Sequence, residues 1–385
     1  MSSLIPSAIA QHTARLLPRM VDLLQRLVLA ESPTGDRTAA AKTRELLEAE
    51  FQACGYRSRR IRGSEYGDVL FAVPERRSRA RPLQMLVGHY DTVWPLGTLR
   101  DMPLETEADV VRGPGAFDMK AGLVQLLTAL RIVHHLKLDP PVTPVAVLNA
   151  DEELGSRESS RTMRRVARRS VRAFVMEPAF GLSGKLKTAR KGVGSYELTV
   201  KGRAAHAGIA PEQGVSAILE MSHQVQRLFA LNDPARGITV NVGTIDGGLR
   251  SNVVAPEVKA SIDVRVPTLQ DAEEIDVALR SLAPHDVRTT IKVEGRFEHP
   301  PLEPLPRNQA LWRLAESLGE QLGLSLEQAA VGGASDGNTI SQYTATLDGL
   351  GAVGDGAHAA HEFINIARMV DRTALLVLLL MSPGT

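Results

Sequence analysis

Apolar and polar positions along the chain fall into two rhythms. Val69–Val73, Gln84–Val87, Val142–Leu148 and Ala173–Met176 are runs of strand length, apolar nearly throughout, as strands covered on both faces are. Around them lie stretches with apolar residues three and four apart, the spacing of a helix that buries one face: Ser7–Ala30, Arg37–Ala53 and Met119–Leu136. Ser32-Pro33-Thr34-Gly35-Asp36 separates the first two and offers an N-cap. Strands alternating with helices predict an α/β fold with a mixed, mostly parallel sheet flanked by helices.

The rhythm changes near Gly192. Ser195–Lys201 alternates like a half-buried strand. Thr239–Thr244, Val258–Val266 and Val287–Val293 follow as strands, with helices expected at Val215–Leu231 and Leu269–Leu282. This is the pattern of a compact α+β unit. The proline-rich Pro300–Pro306 closes it, and then helical spacing resumes at Ala310–Leu322 and Phe363–Leu380, with a weak strand at Leu326–Val331. The expected organisation is one discontinuous domain, residues 1–190 and 303–385, with residues 191–302 inserted. A length of 385 residues suits two domains.

Composition narrows the chemistry. The 45 basic and 44 acidic residues nearly cancel, so no overall charge draws the chain to nucleic acid or to an anionic membrane. No apolar stretch has the roughly 20 residues that a membrane span needs. Met1–Ala30 carries Arg15, Arg19, Asp22 and Arg26 and patterns as an amphipathic helix rather than a secretion signal. A cytoplasmic protein is expected. Cys54 is the only cysteine, so any metal must be held by histidines and carboxylates.

Five segments carry such groups. His89 and Asp91 lie in Gly88-His89-Tyr90-Asp91, just after a strand, where ligands bind in open α/β sheets. A loop histidine with a capping aspartate accounts for that pair equally well. Asp118, in Gly113–Gly122, stands where a helix begins, and an N-cap is its plainest role. Asp151-Glu152-Glu153 crowds three acids after a strand; a solvated turn or bound cations would relieve their repulsion. Glu177 ends another strand, and His358 follows Gly356-Ala357. Together, two imidazoles and three carboxylates suit a pair of zinc-like ions with one carboxylate bridging, and a spare glutamate beside a ligand glutamate suits a base.

These motifs, Gly88–Asp91, Gly113-Pro114-Gly115 with Asp118-Met119-Lys120, Asp151–Ser156, Met176-Glu177-Pro178 and Gly356-Ala357-His358, resemble a co-catalytic zinc peptidase family in the right order over nearly the whole chain. That family includes aminoacylase, acetylornithine deacetylase, succinyl-diaminopimelate desuccinylase and bacterial glutamate carboxypeptidase. Gly332–Asn338 adds to a likeness to the last branch. The resemblance implies two zinc ions per subunit, with cobalt or manganese also suited to the ligands. His89, Asp118 and Glu177 would hold one, and Asp118, Glu153 and His358 the other. Glu152 would be the general base for attack by a hydroxide held between the ions, and Asp91 would support His89. His358 is preferred to His361 because it directly follows Gly-Ala. The insertion would carry homodimer contacts, with His206 reaching the neighbouring subunit's site and Asn252 and Arg265 holding a substrate carboxylate. The implied activity is hydrolysis of an amide beside a free carboxylate, by a carboxypeptidase or by an N-acyl amino acid deacylase.

Other readings compete. Gly333-Ala334-Ser335-Asp336-Gly337 matches the nucleophile elbow of serine hydrolases, with Asp355 and His358 downstream in the matching order. It leaves the upstream acids unexplained. The same fold could also serve as a non-catalytic binding protein, although such a site normally loses a ligand or its base. Gly349–Gly354 matches a dinucleotide fingerprint but lies too near the end of the chain to open a nucleotide-binding unit. The basic run Arg157–Arg172 lacks interleaved aromatics and patterns as a solvated helix face. His12, His134, His135, His223, His285 and His299 lack acidic companions and are expected to be structural or superficial.

Overall fold

The computed structural model describes residues 4–384, which divide into two compact units. The first comprises the chain up to Thr188, Pro304–Val331 and the residues from Ser335 onward; the second comprises Ala189–Glu303 with Gly332–Ala334.

The first unit is built on a six-stranded sheet. Its spatial order is Tyr56–Ile61, Val69–Pro74, Thr143–Asn149, Leu83–His89, Ser170–Val175 and Ala345–Leu347. The last four strands are parallel and the first two antiparallel, giving the mixed, mostly parallel sheet that was expected. Alternation along the strands splits the core. Leu86, Ala146, Leu148 and Phe174 face the helices Ala121–His135 and Ile366–Met381, whereas Met85, Val87, Val145 and Val147 face the helix Ser160–Ala167. The parallel register sets His89 opposite Asn149, so the chemistry-bearing ends of these strands emerge on one edge.

Several predicted boundaries shift for identifiable reasons. The opening segment forms two helices, Leu4–Arg15 and Leu17–Leu29, not one. Pro18 has no N–H to continue the first and instead sits in the first turn of the second. Asp36 caps Arg37–Ala53 by accepting from the N–H groups of Thr38 and Ala39. The strand Tyr56–Ile61 is hidden in sequence by Arg57, Arg59 and Arg60; it is an edge strand that tolerates charge. The helix expected from Met119 begins at Ala121. The final helix begins at Ile366, because Phe363–Asn365 pairs as a short strand with Val110–Arg112. The latter belongs to a small four-stranded sheet with Glu105–Glu107 and Gly354–Asp355. No helix among the described residues is long and apolar enough to cross a membrane.

The second unit is a four-stranded antiparallel sheet in the order Thr239–Gly247, Glu257–Val266, Gly192–Lys201, Thr290–His299. Val258, Ala260, Ile262, Val264 and Val266 all turn to one face and pack under the helices Ala217–Phe229 and Leu269–Arg280. Ser216 and Thr268 cap those helices. The last strand starts at Thr290 rather than Val287, whose side chain is 88% exposed in a turn.

Candidate metal centre

His89 is the last residue of its strand, and its ring is fully covered. Nδ1 lies 3.0 Å from the carbonyl oxygen of Asp91, which fixes the proton on that nitrogen and leaves Nε2 as the donor atom. Nε2 points to Asp118 Oδ1 at 3.2 Å and Glu177 Oε1 at 3.4 Å. The second oxygen of Asp118 lies 3.5 Å from His358 Nε2, which is also 3.0 Å from Glu153 Oε2. Asp118 therefore stands between two imidazoles, one on each oxygen. The donor atoms of His89, Asp118 and Glu153 lie within 4.8 Å of one another, as do those of His89, Glu152 and Glu177.

The supports are as specific as the ligands. Asp91 accepts from the Thr34 hydroxyl at 2.8 Å and from the backbone N–H groups of Glu152 and Glu153 at 3.4 and 3.2 Å. It thus fixes the turn that carries both glutamates. Gly155 leaves that turn at φ 84°, a left-handed conformation that glycine adopts without strain. A Cβ on Gly351 would stand 2.2 Å from the carbonyl oxygen of Met176, so the glycine run at 349–354 lets the chain pack against the backbone of Glu177.

Asp118 is not a helix cap. Its φ and ψ of −112° and 97° interrupt the helical segment, and the bend around it is held by Glu362. The buried Glu362 carboxylate accepts from the N–H groups of Gly115, Phe117 and Asp118 at 2.8–3.0 Å and from Trp94 Nε1 at 2.9 Å. No local pattern marks Glu362 in the sequence, although it directly follows His361. Nor does one mark Asp336 as a functional residue. This buried acid accepts from Ser156 Oγ at 2.6 Å and Asn149 Nδ2 at 3.0 Å, bracing the glutamate turn from behind. Both His358 and His361 are exposed and lie outside those two donor groups, but His358 reaches Asp118 and Glu153, whereas among the described residues His361 pairs with neither.

Charge crowding tunes the protons. Burial opposes the imidazolium form of His89, but Asp118, Asp91 and Glu177 outweigh it and raise its pKa well above the ordinary value. Asp118 and Glu153 lift His358 to about 10. Burial would raise Asp118, yet His358 and His89 hold it far below the carboxylate range. Burial and the nearby Glu177 push Glu152 well up. Burial also raises Glu153, and it lifts Asp336 to about 7. A buried carboxylate cluster of this kind needs compensating positive charge. The donor set of imidazole and carboxylate fits borderline-hard divalent ions, and Glu153 Oε1 is a buried acceptor with no hydrogen-bond partner.

The remaining sequence candidates have other partners. Ser335 is not an activated nucleophile. It is buried as the cap of the helix Asp336–Ser341, donates to Asp348 Oδ2 at 2.7 Å and accepts from the Gly337 N–H. His358, the expected base for it, is engaged with Asp118 and Glu153 instead. In the second unit, His206 and Asn252 are exposed and adjacent: Ala207 N–H donates to the Asn252 carbonyl at 2.9 Å, and His206 pairs with Val253. Arg265 is held by both oxygens of Asp263 at 2.8 and 2.9 Å, a bidentate partner that sequence alone did not suggest.

Residues 188–289 match the peptidase dimerisation domain of the M20 family. Carboxypeptidase G2 of Pseudomonas sp. is 27% identical over 95% of this chain and 90% of its own length. Succinyl-diaminopimelate desuccinylase of Methylobacillus flagellatus is 24% identical over 91% of this chain and 95% of its own. The fold resembles aminopeptidase PepT of Bacillus cereus, with a TM-score of 0.76 at 20% identity, covering 95% of this chain and 98% of that one. The chain is thus similar to M20 peptidases over nearly its whole length, with a match to their dimerisation domain, and it is a hydrolase. The family implies a divalent metal, and the cluster around Asp118 has the donors for it.

Proposed function

We propose that this hydrolase cleaves an amide bond beside a free carboxylate, in the manner of a glutamate carboxypeptidase, at two divalent ions, most simply zinc. His89, Asp118 and Glu177 would hold one ion, and Asp118, Glu153 and His358 the other. The observation that carries this reading is the Asp118 carboxylate, one oxygen toward each imidazole. When bound, the ions acidify water and polarise the amide carbonyl.

The chain's own residues supply the rest. Glu152 takes a proton from the attacking water and returns it to the leaving amine; burial and the nearby Glu177 raise its proton affinity. Asp91 keeps the Nδ1 proton of His89 in place and fixes the glutamate turn. By the family resemblance, His206 supports the developing oxyanion in a partner subunit, and Asn252 and Arg265 bind the substrate carboxylate. Arg265 Nε and Nη2 face Asp263. A guanidinium has a further N–H-bearing nitrogen to offer. Likeness to carboxypeptidase G2 over nearly the full length supports the carboxypeptidase reading, and likeness to the desuccinylase keeps N-acyl amino acids in the substrate screen.

The test combines metal analysis with a hydrolysis screen of C-terminal glutamyl conjugates, N-acyl amino acids and dipeptides, with zinc added. About two ions per chain and fastest turnover of glutamyl conjugates are expected. Fastest turnover of N-acyl amino acids would move the assignment to a deacylase. Stoichiometric metal without hydrolysis of any carboxylate-bearing amide would overturn it.

A further inference from the structure

The helix Ser160–Ala167 and its continuation carry a second cluster that the proposed hydrolysis does not use. Thr162, Met163, Val166 and Ala167 bury one side, and Arg161, Arg164, Arg165, Arg168 and Arg169 occupy the other. With Arg62 they line a concavity of about 720 Å³. Positions three and four apart on a helix are neighbours, so these cations repel one another.

The arrangement differs from that of several other arginines of this unit. Arg44 pairs with Asp68, Arg60 with Glu48, and Arg131 with Glu50. Among the described residues, no hydrogen bond or ion pair engages the side chains of Arg62, Arg161, Arg164, Arg165 or Arg169. Arg168 lies over the Tyr343 ring at 4.7 Å. The one acid in the wall, Glu158, is already committed: its carboxylate accepts from the N–H groups of Ser64, Glu65 and Tyr66. The concavity therefore offers several unpaired guanidinium groups against a single carboxylate, Glu158, whose oxygens are taken by backbone N–H groups. Guanidinium forks match phosphate and sulfate oxygens.

We propose that this concavity is a binding site for a compact polyanion, a chain or cluster of phosphate or sulfate groups. The lining supplies no free aromatic face or amide on which a base would be read, so recognition is of the anionic groups themselves. A pocket closed on one side by a short helix also suits a compact ligand better than a duplex.

The test titrates full-length, metal-loaded protein with a pyrene trisulfonate, followed by fluorescence anisotropy. This probe avoids the metal-chelating phosphates. One saturable site per chain is expected, displaced by tripolyphosphate. The double variant Arg161→Gln/Arg165→Gln should weaken it at least about tenfold, with hydrolytic activity and melting temperature unchanged. Arg77→Gln/Arg79→Gln, on an exposed loop elsewhere, should bind as the parent does. Equal displacement by tripolyphosphate and ATP is expected of a site that reads the phosphate chain; tighter ATP would mean that the base is read and would overturn recognition by the anionic groups alone. Absence of saturable binding, equal loss in both double variants, or tight duplex DNA binding without displacement by tripolyphosphate would overturn the proposal.

Discussion

Two runs of like charge lie close together in this chain and meet opposite fates. The acids Asp151, Glu152 and Glu153 are drawn into the fold; the arginines from Arg161 to Arg169 stay in water. Asp151 is 3% exposed and accepts from the N–H groups of Glu158 and Ser159, and the Glu153 side chain is 5% exposed beside His358. The arginine helix keeps its charges on the outer face while Met163 is fully buried beneath them. A charge run in sequence therefore says little until its depth is known. In water, like charges on a helix cost a few tenths of a kcal/mol per pair. Away from water each uncompensated charge costs several kcal/mol, so a buried run implies a partner.

Variants of the two runs sharpen the contrast. The largest effect is expected at Glu152. Glu152→Gln should lower turnover by about 10²–10⁴-fold while metal content stays intact. Loss of metal instead would make Glu152 a ligand, an arrangement its place beside His89 and Glu177 allows. Next, the arginine helix should depend on its inner face alone. Met163→Ala should cost about 2–5 kcal/mol in denaturant unfolding, and Arg164→Ala should stay within about 0.5 kcal/mol. Comparable losses for the two would refute a purely solvated outer face. The smallest effect falls on a support. Glu362→Gln should weaken metal binding by about 10–100-fold, read by competition with a chelator, because it disturbs the bend that aims Asp118. Unchanged affinity would mean that Asp118 holds its position without Glu362.

The candidate residues were legible from their motifs, with His89, Glu153 and Glu177 at or just after the ends of apolar strands. His89, Asp118, Glu153, Glu177 and His358 converge as a set. Glu362 and Asp336 were not legible as supports. Each works through backbone N–H groups or short polar side chains far away in sequence, and a lone acid in a loop has no pattern to mark it. Ser335 shows the converse. Its motif matched a nucleophile elbow, yet burial and the Asp348 contact make it a helix cap.

The sequence by itself determined the alternation of strands and helices, the insertion-like change of rhythm near Gly192, and the restriction of metal ligands to nitrogen and oxygen. These follow from local properties: side-chain period, turn chemistry and the lone Cys54. Only the tertiary structure decided that Asp118 faces two imidazoles, that Glu362 holds it there, and that of two neighbouring charge runs one is buried and one is wet. Those outcomes depend on which distant backbone and side-chain groups meet. Long-range packing sets that, and no local pattern encodes it.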